Sequence, residues 1–348
     1  MRLSIGESAL GVALIGLPLG VQVSLMLADK ILKIFNVKII LCLGIPMIGS
    51  SLILTSISSG PTSLFLFLSF GGLAVGVVEV AVNLEADRVE YTSCKKIMNR
   101  SHSFWSLGFF SAGLAGAFLS QLQIGLMTHF IISFVSCSTL TVIFSYNYNP
   151  APVRPNVTKE SPLFVLPSNA VLALVIFTLP AMLIEGAGID WSIIFMRDVF
   201  NTPPFLSGLA FVLGTFGQFL VRFFADGIVT RYGSELVSRT SIIATLIGLI
   251  FVCFSLHPFL ALIGFGLMGA GTAVIFPLAM SAAAQRTDKP AAANVASLAQ
   301  ISFLTFLIGP PLLGFIAEVF GIKISFGICL PLLIISWVFV HTVKENRY

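Results

Sequence analysis

Apolar residues in this chain gather into long, nearly unbroken runs that lack apolar/polar alternation. A helix rising about 1.5 Å per residue needs roughly 20 apolar residues to cross the hydrocarbon core of a bilayer. Cutting the sequence at charged residues and at Pro, Gly and Asn leaves eleven such runs, at 8–28, 37–58, 63–84, 103–122, 124–146, 167–189, 205–225, 236–256, 259–283, 293–317 and 322–343. Lipid offers no partner to an open backbone, and the runs lack the alternation of barrel strands, so the pattern predicts helices. The first run follows Arg2 and Glu7 and is long enough to span, which favours a retained helix over a cleaved signal peptide.

Composition fits lipid as solvent. Of the residues, 57% are hydrophobic and 10% charged, against about 25% charged in a soluble domain, and the mean hydropathy is +1.01. The basic residues are scattered in short clusters, so the net charge of +4 does not describe a nucleic-acid face. They do orient the chain. Taking alternate loops as one set collects 16 of the 19 Lys and Arg, leaving only Arg2, Arg197 and Lys323 opposite, which places the carboxyl end in the cytoplasm of an inner (plasma) membrane. The longest polar interruption, rich in proline, reads as a cytoplasmic linker at 147–166 between a five-span half, 1–146, and a six-span half, 167–348.

Certain segments carry a family likeness. FLVRFFADGIVTRYGSE contains Arg222, Asp226, Arg231 and Gly233, which resemble the signature loop of the major facilitator superfamily, although Thr230 occupies the strict acid position. LADKILKIFNVK is a degenerate first-half copy, with Asp29 early, Lys33 at the acid and Asn36 at the glycine. EGAGIDWSIIFMRD, EVAVN and RSHSFWSLG resemble the MosC-like branch, related to fucose-permease-type sugar symporters. The resemblance implies an all-α polytopic fold of two helical halves that rock about a midplane site. It also implies twelve helices, of which the first is absent here.

An ionised group near the bilayer centre costs about 2.5–3.5 kcal/mol on insertion scales, so buried charges are site candidates. Glu79 and Asn83 lie one helical turn apart in the third run. They form either a packing pair or a protonation site; the resemblance favours the latter. Glu185, Asp190 and Trp191 cluster beside Gly186 and Gly188, which should loosen the helix and free backbone groups for a ligand. Trp191 is either a platform for a sugar ring or an interface anchor. His102 could titrate or only bond a loop. Arg222 and Asp226, four residues apart, could hold a gate closed.

Other signals lead away from chemistry. Gly264, Gly266 and Gly269 spell a dinucleotide fingerprint, but inside an apolar run with no strand before it, so close helix packing explains them. The five cysteines are widely spaced and suggest neither disulfides nor zinc. No nucleophile, metal-ligand or phosphate-loop pattern occurs, so neither an enzyme nor a cofactor is expected. The expectation is a secondary transporter for a small polar solute, a sugar among the candidates, coupled to protons through Glu79. Efflux of amphipathic compounds, or a non-transporting product lacking its first helix, remain open as alternatives, and oligomeric state is open too.

Overall fold

The structure is a computed structural model that describes residues 6–93, 98–152, 166–289 and 291–344. Most of the expected linker, 153–165, lies outside the described residues, as do the side chains of Asp29, Lys33 and Arg100. Among the described residues there are fourteen α-helices and a closing 3-10 turn, and 11 helical stretches are long and apolar enough to cross a membrane. The protein is thus an all-helical, multi-pass membrane protein, as the apolar runs predict.

The chain divides into two compact units, Met1–Ser101 with Leu122–Lys159, and His102–Gln121 with Glu160–Tyr348. Unit 1 holds α1 (Glu7–Leu14), α2 (Gly16–Ile34), α3 (Val37–Ser56), α4 (Pro61–Ser93) and α6 (Leu126–Tyr146). Its centre is α4, against which α2 lies so closely that a Cβ at Gly72 would collide with the Leu17 backbone. Asn36 opens α3 by accepting from the Ile39 amide at 2.9 Å, the N-cap role for which a short amide is suited. The outer face of α6, with Val142, Ile143 and Phe144 more than half exposed, would be a liability in water and is ordinary against acyl chains.

Unit 2 holds α7 (Asn169–Phe200), α8 (Pro204–Tyr232), α9 (Ser234–Phe254), α10 (Pro258–Thr272), α11 (Ile275–Ala284), α12 (Ala291–Phe320), α13 (Ile322–Gly327) and α14 (Cys329–Phe339). It also takes α5 (Met98–Gln121) from His102 onward, a helix that the sequence reading placed with the first half. The reason is a small-residue face. Gly113 packs on Phe211 and Val212, Ala117 fills the space left by Gly208, and Gln121 accepts from the Phe205 amide at 3.2 Å. Contacts that descend on one helix as they rise on the other make α5 and α8 antiparallel neighbours.

Lipid tails are as apolar as leucine, so helix association inside a bilayer rests on close packing and buried hydrogen bonds. Unit 2 has both. Phe195, Phe265 and Phe326 meet edge to face with centroids 5.4–5.6 Å apart, while Ser336 donates to the Phe177 carbonyl at 2.8 Å and Thr178 bonds Ser302 at 3.1 Å. Gly264 lies against the backbone of Gly248, and Gly269 against that of Gly214. The G-x-G-x-x-G run is therefore a helix-packing surface.

Several helices run past the apolar pattern, α2 to Ile34 and α4 to Ser93 among them, and two of these extensions bear on the site. The sixth span was expected to stop at 189 with its helix loosened by Gly186 and Gly188, yet α7 continues unbroken to Phe200. A Cβ at Gly186 would come 3.3 Å from the Phe306 ring, so this glycine admits a neighbour and frees no backbone. The seventh span was expected to end at 225, whereas α8 runs on to Tyr232. Charged residues end an apolar run without ending a helix. Gly233, at φ +83°, ends it, in a conformation that costs glycine little.

Candidate functional site

The site in unit 2 begins with a proline. Pro277 in α11 has no N–H, so the carbonyl of Ala273, four residues earlier, loses its helical donor. The chain breaks here between α10 and α11. Arg222 of α8 supplies the missing donor, its Nε lying 3.0 Å from the Ala273 oxygen. Its Nη1 donates to Ser106 Oγ of α5 at 2.9 Å, and its Nη2 to Glu185 Oε1 of α7 at 3.2 Å. One guanidinium therefore ties four elements together.

The side chains of Arg222 and Glu185 are only 13% and 10% exposed. A lone charge at such a position would be costly, so each is tolerable because of the other and because Arg222 satisfies two further acceptors. The sequence reading paired Arg222 with Asp226. Asp226 is not among the partners of Arg222, and it is exposed one turn further along. The (i, i+4) spacing put the two on one side of the helix but could not reveal a better acid on another.

Beside this pair, α7, α8 and α10 line a small cavity of about 20 Å³, room for about one water. Glu185 and Gly188 line it from α7, Phe211 and Gln218 from α8, Phe265 and Thr272 from α10. Thr215, one turn before Gln218's neighbour Phe219, completes the polar wall. Gln218 is 4% exposed. Its side chain lines the cavity.

The other expected residues fall elsewhere. Glu79 and Asn83 are in unit 1 on α4, where Asn83 Nδ2 donates to Glu79 Oε1 at 3.0 Å. Both are half-buried. Asp190 is half-buried, and Trp191 is 1% exposed in the main core of unit 2. Neither lines the cavity, and a tryptophan this deep is not an interface anchor. Arg197 pairs with its neighbour Asp198 near the end of α7. His102 is half-buried at the start of unit 2, its carbonyl accepting from Ser106 Oγ at 3.4 Å. Arg231 stacks on Tyr232 at 5.2 Å beside Gly233. These two residues shape the α8–α9 turn.

Gln218 and Glu85 went unnoticed in the sequence. Gln218 is a lone amide in an apolar run, with no acid within a helical turn to mark it as Glu79 marks Asn83. Glu85 is 7% exposed on α4. It accepts from the Tyr148 hydroxyl, the Ala151 amide and Arg88, the last at 3.4 Å. Its neighbour Arg88, three residues on, was a local sign of it.

A model of the Major Facilitator Superfamily matches residues 174–347. The chain belongs to the Major Facilitator Superfamily. Relatives of this superfamily member span nearly its whole length. An uncharacterized transporter, y4wD, of Sinorhizobium fredii is 28% identical over 93% of this chain and 86% of its own. An uncharacterized MFS-type transporter of Yersinia pestis is 26% identical over 96% and 86%, and the membrane protein MosC of Rhizobium meliloti 23% identical over 92% and 77%. Among solved structures, a mutant form of the nucleoside transporter NupG aligns over 99% of this chain and 92% of its own with a TM-score of 0.78 at 16% identity. A bacterial homologue of the lysosomal transporter Spinster, in an inward-facing and occupied conformation, aligns over 98% and 90% with a TM-score of 0.66 at 14% identity. At such identities these structures carry the fold alone. Membership of the superfamily makes this chain a membrane transporter with a small-molecule solute and a lipid surround, and its relatives are described as transporters.

Proposed function

We propose that this superfamily member is a secondary transporter of the inner (plasma) membrane that carries a small polar solute, a sugar or sugar-like compound, together with protons. One observation carries the reading. In helices made for lipid, the Glu185–Arg222 ion pair and the buried amide of Gln218 gather in unit 2, with Glu185 and Gln218 lining a small cavity. Intramembrane polar groups are expensive and mark solute or ion pathways, and a cavity beside an interrupted helix is a common setting for them. The similarity to MosC and the segments EVAVN and RSHSFWSLG favour the branch related to fucose-permease-type symporters.

Proton coupling falls to Glu79. Its carboxyl, inside a membrane-spanning helix, accepts from the neutral amide of Asn83 and has no cationic partner among the described residues. Such a group can take up and release a proton without breaking an ion pair. The distribution of basic residues supports a cytoplasmic carboxyl end.

Reconstitution in liposomes with labelled neutral sugars tests the reading. An inward proton gradient should drive accumulation, and Glu79→Gln should abolish that accumulation while leaving solute exchange intact. Unchanged accumulation in Glu79→Gln would remove Glu79 from the coupling step, and drug hypersensitivity of a deletion strain would favour efflux instead.

A further inference from the structure

We propose that Arg222 acts as a tethered cation. Its guanidinium fills an oxygen-lined site for a monovalent cation at the break between α10 and α11, so unit 2 binds no free ion there, and the site accepts a free guanidinium ion once the side chain is cut back. The ion is at issue here and not the solute, so the assignment stands whether or not Glu79 carries the proton.

The acceptors define the site. Three oxygens of three chemical kinds face one guanidinium: the Ala273 carbonyl at 3.0 Å from Nε, the Ser106 hydroxyl at 2.9 Å from Nη1 and the Glu185 carboxylate at 3.2 Å from Nη2. Ser106 gives its own proton to the His102 carbonyl at 3.4 Å, which turns its oxygen into an acceptor towards Arg222. Oxygen sets of this kind are what hard cations take. Their placement agrees. Freed carbonyls and the C-terminal ends of interrupted helices are where transporters hold Na⁺ or H⁺, and α10 ends here at Thr272 with the negative end of its dipole. One carboxylate among the three acceptors gives the set a single formal negative charge, which matches a single positive one.

Arg222 already supplies that charge from within the chain. A guanidinium presents five N–H donors in a rigid fork and is weakly hydrated, so it tolerates burial against several acceptors. The neighbouring cavity, lined by Glu185, has room for about one water at about 20 Å³. A hydrated ion does not fit beside the guanidinium. Removing the side chain leaves the buried carboxylate, the hydroxyl and the bare carbonyl around a vacated space, and a free cation of the same shape is what satisfies all three at once.

The test uses the full chain purified in detergent and reads thermal unfolding, so no solute has to be known. Arg222→Ala should unfold at a lower temperature than the unaltered protein. Guanidinium chloride, raised to about 50 mM, should return at least about 3 °C of that loss along a saturating curve. Choline chloride, whose cation is too bulky for the site, should return none, and the unaltered protein should show no such rise. Combining Arg222→Ala with Glu185→Gln should abolish the guanidinium response, because the anionic ligand is gone. Arg222→Lys keeps a tethered charge, so it should lie closer to the unaltered protein than Arg222→Ala and gain nothing from guanidinium. If Arg222→Ala aggregates on solubilisation, folded yield replaces melting temperature as the readout: guanidinium should restore a monodisperse chain and choline should not. The proposal is overturned if Arg222→Ala shows no saturating rise and no rescued yield, or if the rise is equal in the unaltered protein or in the double variant. A rise of the unaltered protein in NaCl that Glu185→Gln removes would also overturn it, by placing a free ion at the site. None of these outcomes bears on the transport reading, which accumulation in liposomes decides separately.

Discussion

The Nε of Arg222 and the carbonyl oxygen of Ala273, 51 residues apart and 3.0 Å from each other, close the backbone gap that Pro277 opens. Arg222→Met would remove that donor and leave Glu185 as an unpaired acid in a membrane-spanning helix. Losing one partner of a buried pair costs about 3–5 kcal/mol. Glu185→Gln in the same chain should recover much of this, because the residual buried charge goes with it. Thermal unfolding in detergent, run as a double-mutant cycle, reads the coupling. Losses that simply add would show the pair to be energetically idle.

Pro277→Ala asks the same question from the backbone side. Alanine restores an N–H four residues after Ala273, so the carbonyl gains a helical donor that competes with Arg222. In an otherwise unchanged chain, the gain from removing an interior proline is offset by a disturbed α10–α11 break. In the Arg222→Met background it should be plainly stabilising, since the bare carbonyl is then capped. Equal effects in both backgrounds would contradict the division of labour between Pro277 and Arg222.

Glycines of one motif should respond unequally. A Cβ at Gly269 would run into the Gly214 backbone, while one at Gly266 would meet Leu213 only at 3.8 Å. Gly269→Ala must push α8 and α10 apart, an overpacking cost of about 1–3 kcal/mol or more, and Gly266→Ala should be close to neutral. Folded yield and melting temperature of the two variants decide it. A nucleotide-binding loop would instead make both intolerant, and nucleotide would protect the protein.

Why the fold was legible and much of the site was not follows from the solvent. Lipid compels every crossing to be a helix of about 20 apolar residues, so hydropathy alone located α3, α6 and α9 to within a few residues. It could not see α7 pass Ile189, because a charge inside a helix leaves its backbone bonds untouched. Arg222 was visible as a rare intramembrane cation, and local spacing then suggested Asp226 as its partner. Its actual partners are 37, 51 and 116 positions away, distances that periodicity does not encode. Pro277 was in plain view, and counting back four residues to an orphaned carbonyl would have indicated that a distant donor was needed. Gln218 was likewise detectable as an amide one turn before Arg222.

Unit 1 offers a pH-dependent anchor. Tyr148, just after α6, donates its hydroxyl to Glu85. Burial first, then this hydrogen bond and the adjacent carboxylate, push the Tyr148 phenol well above its ordinary value near 10, with Arg88 opposing. The folded state thus holds the proton more tightly than the unfolded state. The associated stability is fully present below about pH 10, the unfolded value, and is lost as the pH rises from there towards the folded value. A tyrosinate absorbance titration in detergent, with only five tyrosines in the chain, should show one phenol resisting ionisation until the protein unfolds. Tyr148→Phe should delete that late phase, and Glu85→Gln should bring it to lower pH by replacing a charged acceptor with a neutral one. If every phenol of the unaltered protein ionises near pH 10, the Tyr148–Glu85 bond does not hold the segment after α6 to the end of α4.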